Sequence, residues 1–165
     1  MTDDDKLLYG ALIVTRSHVG QGNPVEFEIA KIDAAVDQLD WAIRLFLDHK
    51  AYIPAITLAG AAEEILGRVA GAGAAYGMLK KKFSSDLSMP EKEVSLGHLN
   101  KARNWLKHWD KRADTETVCL GLDKEAIQYI ARALANLITH DRSLPSEGLR
   151  FCAWVSENGM WPDDT

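Results

Sequence analysis

One short segment of the sequence holds side chains that could act on a phosphodiester. The segment NKARNWLKHWDKR, residues 100–112, contains Arg103, Asn104 and His108. A histidine titrates near neutral pH, so it can take up or release a proton during a reaction. An arginine keeps its charge and presents a planar fork of donors that matches phosphate oxygens. Cleavage of RNA without a metal needs such groups, because the 2′-hydroxyl loses a proton, the 5′-oxygen gains one, and charge develops on the phosphorane.

The same segment is basic, although the chain as a whole is acidic. The 165 residues carry a net charge of −5, whereas the side chains of residues 98–112 carry a balance of +4. An anion would therefore be drawn to this one place, and the acidic remainder argues against a general nucleic-acid coat. The residues expected to guide RNA are Lys101, Lys107, Lys111 and Arg112. A second run of lysines, residues 80–82, is interpreted as a solvated helix end.

Ordinary helix physics offers a second interpretation of the segment. Basic side chains in the last turn of a helix are favoured by the helix dipole without any ligand. Arg103 could pair with Glu63 or Glu64 of the preceding helix, and Asn104 could be a polar surface residue. Arg103 and His108 lie about 140° apart on an ideal helix, so they meet only through helix distortion or through a second copy of the chain. A catalytic site and a binding or assembly surface both remain open.

The elements that must position this segment are mainly helices. Apolar residues at alternating steps of three and four predict a first helix over residues 29–46 and a later one after an Asp123 N-cap. A second helix should follow Tyr52, with Pro54 in its first turn and a buried face of Leu58, Ala62, Ile65 and Val69. Further helices are expected over residues 96–109 and 146–156, and the glycine-rich stretch after the second helix predicts a helix end or hinge.

Two short alternating runs, residues 25–29 and 117–120, are typical of strands and could pair as a ribbon. The sequence therefore predicts a mainly all-α, up-and-down bundle of four to six helices with at most one small two-stranded β-ribbon.

Other kinds of site find little support in the sequence. The glycines at 71, 73 and 77 are wrongly spaced for a dinucleotide-binding turn and follow a helix. Glu63 and Glu64 are adjacent and point about 100° apart, so at most one should face the cleft, as an ion-pair partner of Arg103 or Arg68. No cysteine and histidine spacing indicates a metal site, and the apolar residues 7–14 are too few to span a membrane.

The segment RNWLKH resembles the R-x4–6-H motif of the HEPN superfamily, small all-α domains that usually dimerise. The wider pattern LDWAIRLFL…AITLAGAAEEIL…RNWLKHWDKR is similar to a group of proteobacterial proteins with a segment of the N-F-F-K-H-A-D-R-D type. The likeness covers residues 25–140. It implies an HEPN-like helical domain over residues 25–158, between an N-terminal extension (1–24) and a C-terminal tail (159–165).

In many HEPN proteins the arginine and the histidine form a metal-independent ribonuclease site at the dimer interface, and others serve as binding or assembly modules. The resemblance implies that Arg103 and His108 are catalytic, that Asn104 supports them, and that a homodimer cleaves RNA to a 2′,3′-cyclic phosphate. A toxin or defence role implies an antitoxin or nucleotidyltransferase as partner protein. The alternative is a non-catalytic helical dimer that binds a nucleotide, an anion or a protein partner. We expect a cytoplasmic location, no cofactor or metal, and no membrane association.

Overall fold

The computed structural model describes residues 26–107 and 117–159, and these residues form an all-α helical bundle. The predicted all-α class is therefore confirmed. The α-helices in chain order are α1 (Lys31–Leu47), α2 (Tyr52–Ala70), α3 (Ala75–Asp86), α4 (Glu91–Val94), α5 (Lys101–Lys107), α6 (Leu122–Thr139) and α7 (Ser146–Glu157). A 3-10 turn, Gly71–Gly73, links α2 to α3, and a π-helical turn, Ser95–Leu99, links α4 to α5.

Helix α2 is the centre of the bundle, because it packs along both α1 and α6. Its buried apolar side chains are mostly small: Ala55, Ala59 and Ala62 lie beside Ile56 and Leu66. Small side chains let two neighbouring helices approach the same helix closely. The predicted buried face of α2 was partly wrong, since Leu58 and Ile65 are only half-buried and Val69 is exposed. The buried side of α2 is the alanine-rich one, which lies between α1 and α6.

The flanking helices close the core from the sides. Helix α1 buries Leu39, Ile43 and Phe46, as its apolar spacing predicted, and α7 packs against α1. The rings of Phe151 and Trp154 on α7 lie 6.0 and 5.0 Å from the Phe46 ring. Residues 146–157 are helical, in agreement with the helix predicted over residues 146–156, and their aromatic side chains pack against α1.

The two predicted strands are absent from the part of the chain that the structure describes. Residues 26–30 and 117–120 have no regular structure, and Val25 lies outside the described residues. Phe27 and Ile29 are exposed, so their alternation with acidic residues does not correspond to a strand with one buried face. An isolated two-stranded ribbon is marginal in water, and helical packing covers the core without it.

Two local predictions about helix ends are also corrected. Asp123 lies inside the first turn of α6, and Gly121 occupies the N-cap position without a side-chain hydrogen bond. Residues 80–82 lie in the body of α3, where Lys80 pairs with Glu91 at 2.9 Å and Lys82 with Asp86 at 3.0 Å. The predicted helix end after α2 is confirmed, since α2 stops at Ala70 and Gly71 takes a positive φ of 59°.

The segment that carries the candidate site is longer and less regular than predicted. It begins at Glu91, behind Pro90, and passes through the π-helical turn before α5 starts at Lys101. Within that turn the Asn100 N–H donates to the Ser95 carbonyl at 2.9 Å. A π-helical turn inserts residues into a helix and rotates the next helical residues about the axis, so it sets the direction in which α5 presents its side chains. No described helix is long and apolar enough to cross a membrane.

Candidate functional site

Four of the predicted site residues lie on α5, namely Lys101, Arg103, Asn104 and Lys107. The other three, His108, Lys111 and Arg112, lie outside the described residues. The apolar seam of this segment consists, among the described residues, of Leu99, Ala102 and Leu106. Within the seam, Leu99 and Ala102 are buried and Leu106 is half-buried, which fastens α5 to the bundle.

Arg103 lies in the groove between α5 and α2, with 14% of its side chain exposed. Its Nη2 donates to the Glu64 carboxylate, and its Nη1 lies 4.0 Å from Glu63 Oε2. The stem of Arg103 passes over Gly60, where an added Cβ would lie only 3.1 Å from the arginine Cδ. The glycine therefore gives the side chain room to lie flat on α2. The predicted pairing of Arg103 with a glutamate of the second helix is confirmed.

Both glutamates approach Arg103, and both line the cleft beside it, which corrects the expectation that at most one would face the cleft. Glu63 faces inward and is 5% exposed, whereas the side chain of Glu64 is 43% exposed. Glu64 also accepts a hydrogen bond from Arg68 at 3.3 Å. The side chain of Arg103 is long enough to run between the two adjacent positions, so their 100° separation does not prevent a shared partner.

A second arginine lies behind Glu63. Arg132 on α6 is 2% exposed, and its Nε lies 3.9 Å from Glu63 Oε1. Its Nη1 donates to the Leu99 carbonyl and to Gln128 Oε1, each at 3.1 Å. The guanidinium carbon lies 4.3 Å from the centroid of the Tyr129 ring. A buried cation is thus held by a carboxylate, two hydrogen bonds and an aromatic face.

The two carboxyl groups have different electrostatic surroundings. Burial raises the pKa of Glu63 above its ordinary value, and the charges of Arg132 and Arg103 partly oppose that rise. The hydrogen bond and the charge of Arg103 lower the pKa of Glu64. Two carboxyl groups that are adjacent in the sequence thus have pKa values shifted in opposite directions, Glu63 upward by burial and Glu64 downward by Arg103.

A cleft of about 310 Å³ opens beside Arg103. Its walls are Glu63, Glu64, Gly67, Arg68, Ala74, Tyr76, Asn100 and Arg103. On one wall the Asn100 Nδ2 group donates to the Tyr76 hydroxyl at 3.2 Å, and that hydroxyl lies 2.5 Å from Ser95 Oγ. The π-helical turn thereby supplies Ser95 as a hydrogen-bond partner of Tyr76, which lines the cleft. The cleft has room for a phosphate or for a small polar group.

The remaining residues of α5 surround Arg103. Lys101 and Lys107 are exposed, and the charge of Lys107 helps to lower the pKa of Glu64. Asn104 is half-buried, and its backbone N–H donates to the Asn100 carbonyl at 2.9 Å. The structure therefore brings Arg103, Asn104 and Lys107 to one short helix beside the cleft.

Sequence reasoning missed Arg132, Tyr76 and Asn100. The sequence does contain a signal for Arg132, because it is the single charged residue in residues 126–139. The same span holds four residues of the apolar stripe that predicted α6. A cation in such a span is a candidate for a buried pair. Tyr76 lies in the first turn of α3, after the 3-10 turn, and Asn100 follows the π-helical turn. These irregular turns bring the two residues to the cleft, and no spacing rule predicts them.

Among the described residues, no three His, Cys, Asp or Glu side chains are grouped so that they could hold a metal ion. Comparisons of the chain with protein-family models, with curated proteins and with solved structures found no match.

Proposed function

We propose that the chain is an HEPN-like, metal-independent endoribonuclease that acts as a homodimer. The observation that supports this function best is the setting of Arg103, which lies at the edge of a cleft on the helix that leads into His108 in the sequence. One of the two carboxylates on Arg103, that of Glu64, belongs to a side chain that is 43% exposed. A substrate phosphate can take the place of that carboxylate on the guanidinium fork.

In the proposed reaction Arg103 binds a non-bridging oxygen of the scissile phosphate and stabilises the charge of the phosphorane. His108 of one protomer removes the proton from the 2′-hydroxyl, whose oxygen then attacks the phosphorus. His108 of the second protomer protonates the departing 5′-oxygen. The products are a 2′,3′-cyclic phosphate and a 5′-hydroxyl, and proton transfer of this kind contributes about 10²–10⁴-fold to the rate. Asn104 supports the arginine and the histidine.

Basic side chains around the cleft would guide the RNA strand. Lys101 and Lys107 are exposed on α5, and Lys111 and Arg112 follow in the sequence. Contacts of this kind make the affinity for RNA fall as the salt concentration rises. A cytoplasmic toxin or defence component with an antitoxin or nucleotidyltransferase partner is the biological setting that we propose.

One observation favours a second function, in which the same dimer binds a nucleotide, an anion or a protein and does not catalyse. Arg103 already contacts two carboxylates, which offset much of its charge. A binding surface tolerates such neutralisation better than a catalytic arginine does, because catalysis needs the fork free in the transition state.

The experiment that separates the two functions is cleavage of end-labelled RNA by the purified protein in excess EDTA. We expect cleavage by the wild type and its loss in His108→Ala and in Arg103→Ala. His98→Ala is the matched control, since His98 is an exposed histidine in the π-helical turn before α5, and it should cleave normally. Equal activity in His98→Ala and His108→Ala would contradict the proposal, and an inactive wild type would favour the binding function.

A further inference from the structure

Arg103 is held from two sides, and the two sides are not equivalent. Glu64 is exposed and has Arg68 as a second partner at 3.3 Å, so it can leave Arg103 without losing every ion pair. Glu63 is buried, and each of its oxygens faces a different arginine. Oε1 lies 3.9 Å from Arg132 Nε, and Oε2 lies 4.0 Å from Arg103 Nη1. A phosphate that displaces Glu64 would therefore find Arg103 still held by Glu63.

Arg132 is the most firmly held residue of the row Arg132–Glu63–Arg103. Its guanidinium group is pinned by the Leu99 carbonyl, by Gln128 and by the ring of Tyr129. Its buried Nε and Nη2 atoms have no hydrogen-bond partner among the described residues, which leaves their charge directed at the nearby carboxylate of Glu63. A buried carboxylate between two cations keeps one orientation, because turning it would leave one of the cations unpaired.

We infer that Glu63, anchored by Arg132, is a positioning residue that holds the Arg103 fork in place when the substrate phosphate displaces Glu64; this inference rests on the proposed ribonuclease function. Three helices then share the task, with α6 carrying the anchor, α2 the buried carboxylate and α5 the arginine that touches the phosphate. In this scheme Arg103 binds the phosphate, and Glu63 and Arg132 act by orienting its guanidinium group. Their effect on the reaction passes through Arg103.

Glu147 offers a closely matched control for Glu63. It also lies between two arginines, with Oε1 at 3.1 Å from Arg44 Nε and Oε2 at 2.9 Å from Arg150 Nη1, but it joins α7 to α1. Both Glu→Gln changes remove one partly or fully buried charge from a similar triad. Only the change at position 63 touches the cleft.

The test measures the steady-state cleavage of RNA in EDTA by the wild type, Glu63→Gln, Arg132→Lys and Glu147→Gln, under conditions where each variant is folded by circular dichroism. We expect kcat to fall about tenfold in Glu63→Gln with KM within about twofold, because the lost interaction orients a group that acts in the transition state. Arg132→Lys, which keeps the charge but loses the fork, should fall less. Glu147→Gln should retain the wild-type kcat.

A second readout does not depend on activity. The side-chain Nε–Hε resonance of Arg103, assigned through its loss in Arg103→Lys, should shift in Glu63→Gln and in Arg132→Lys and stay in place in Glu147→Gln. Equal kcat in Glu63→Gln and Glu147→Gln, or an unmoved Arg103 resonance, would overturn the inference. An inactive wild type would overturn the proposed function, and the resonance would then decide the link from Arg132 to Arg103 alone. If Glu63→Gln does not fold, Arg132→Lys carries the same comparison.

Discussion

Replacement of Arg132 by methionine tests the buried charge cluster through stability alone. Arg132→Met keeps a long flexible side chain against the Tyr129 ring and removes the positive charge. Glu63 then remains buried with Arg103 as its cation at 4.0 Å, and the Leu99 carbonyl loses a donor. The variant is informative because it needs no assumption about activity.

The expected loss follows from the surroundings of the guanidinium group. Breaking one partner out of a buried ion pair costs about 3–5 kcal/mol, since the other charge is left uncompensated in the interior. Contact of the methionine with Tyr129 recovers a part of this, because a thioether packs well against an aromatic ring. We therefore expect a decrease of about 3 kcal/mol in the free energy of unfolding, a large share of the roughly 5–15 kcal/mol of a typical domain.

The assay is urea unfolding at neutral pH, followed by circular dichroism. Arg44→Met is the control, because its partner Glu147 is only partly buried and keeps Arg150 as a second cation at 2.9 Å, so the expected loss is smaller, about 1.5 kcal/mol. Loss of the Arg132 charge also raises the pKa of Glu63 further, so the folded variant binds a proton more tightly than the unfolded chain does. Its stability therefore decreases as the pH rises from the ordinary glutamate pKa through the folded-state pKa. The deficit against wild type should shrink in mild acid, and a deficit no larger than that of Arg44→Met, or one independent of pH, would refute the reasoning.

Three further predictions concern single side chains. Glu64→Gln removes an ion pair of Arg103 that contributes about 1 kcal/mol. Non-cleavable 2′-O-methyl RNA should therefore bind about fivefold more tightly, as measured by fluorescence anisotropy. Binding no tighter than that of Glu157→Gln, which changes the net charge equally, would contradict this. Gly60→Ala places a Cβ 3.1 Å from Arg103 Cδ, so the arginine side chain must shift and kcat should fall several-fold. The helix itself gains up to about 1 kcal/mol from the alanine. An unchanged kcat would mean that the path of the Arg103 side chain over α2 does not affect the reaction. Burial raises the pKa of Asp40 to about 6, so the stability that this group affects decreases as the pH rises from about 4 to 6. Asp40→Asn should remove that decrease and stabilise the protein at pH 7 by about 1 kcal/mol once solvent screening is allowed for, and urea unfolding across this pH range checks it.

The sequence predicted the helices best where apolar spacing is strict. The stripe through Leu39, Ile43 and Phe46 reads directly as the buried face of α1, because one side of that helix is covered and the other is wet. The same reasoning misplaced the face of α2, since a helix covered on two sides by α1 and α6 buries its small residues first. The strand predictions failed because an alternation of about five residues, as near Phe27, is a weak signal. A ribbon of two such short strands is also marginally stable without further strands to pair with.

At the candidate site, opposite charges on neighbouring helices were enough to predict that Arg103 pairs with Glu63 or Glu64. The part played by Arg132 was not predictable in the same way. It depends on the register of α6 against α2, which brings residues 63 and 132 together although they are far apart in the sequence. The π-helical turn before α5 also escaped prediction, because it leaves no periodic signal of its own.

The most direct test of the proposed ribonuclease function uses RNA strands of 2′-O-methyl nucleotides with one internal ribonucleotide, one strand for each base. The strands are incubated with the protein in excess EDTA and analysed by mass spectrometry. We predict a single cut on the 3′ side of the ribonucleotide, with a 2′,3′-cyclic phosphate on one fragment and a 5′-hydroxyl on the other, and no cut by Arg103→Ala or His108→Ala. Intact strands with the wild type, or cuts beside 2′-O-methyl nucleotides, would contradict the proposed function.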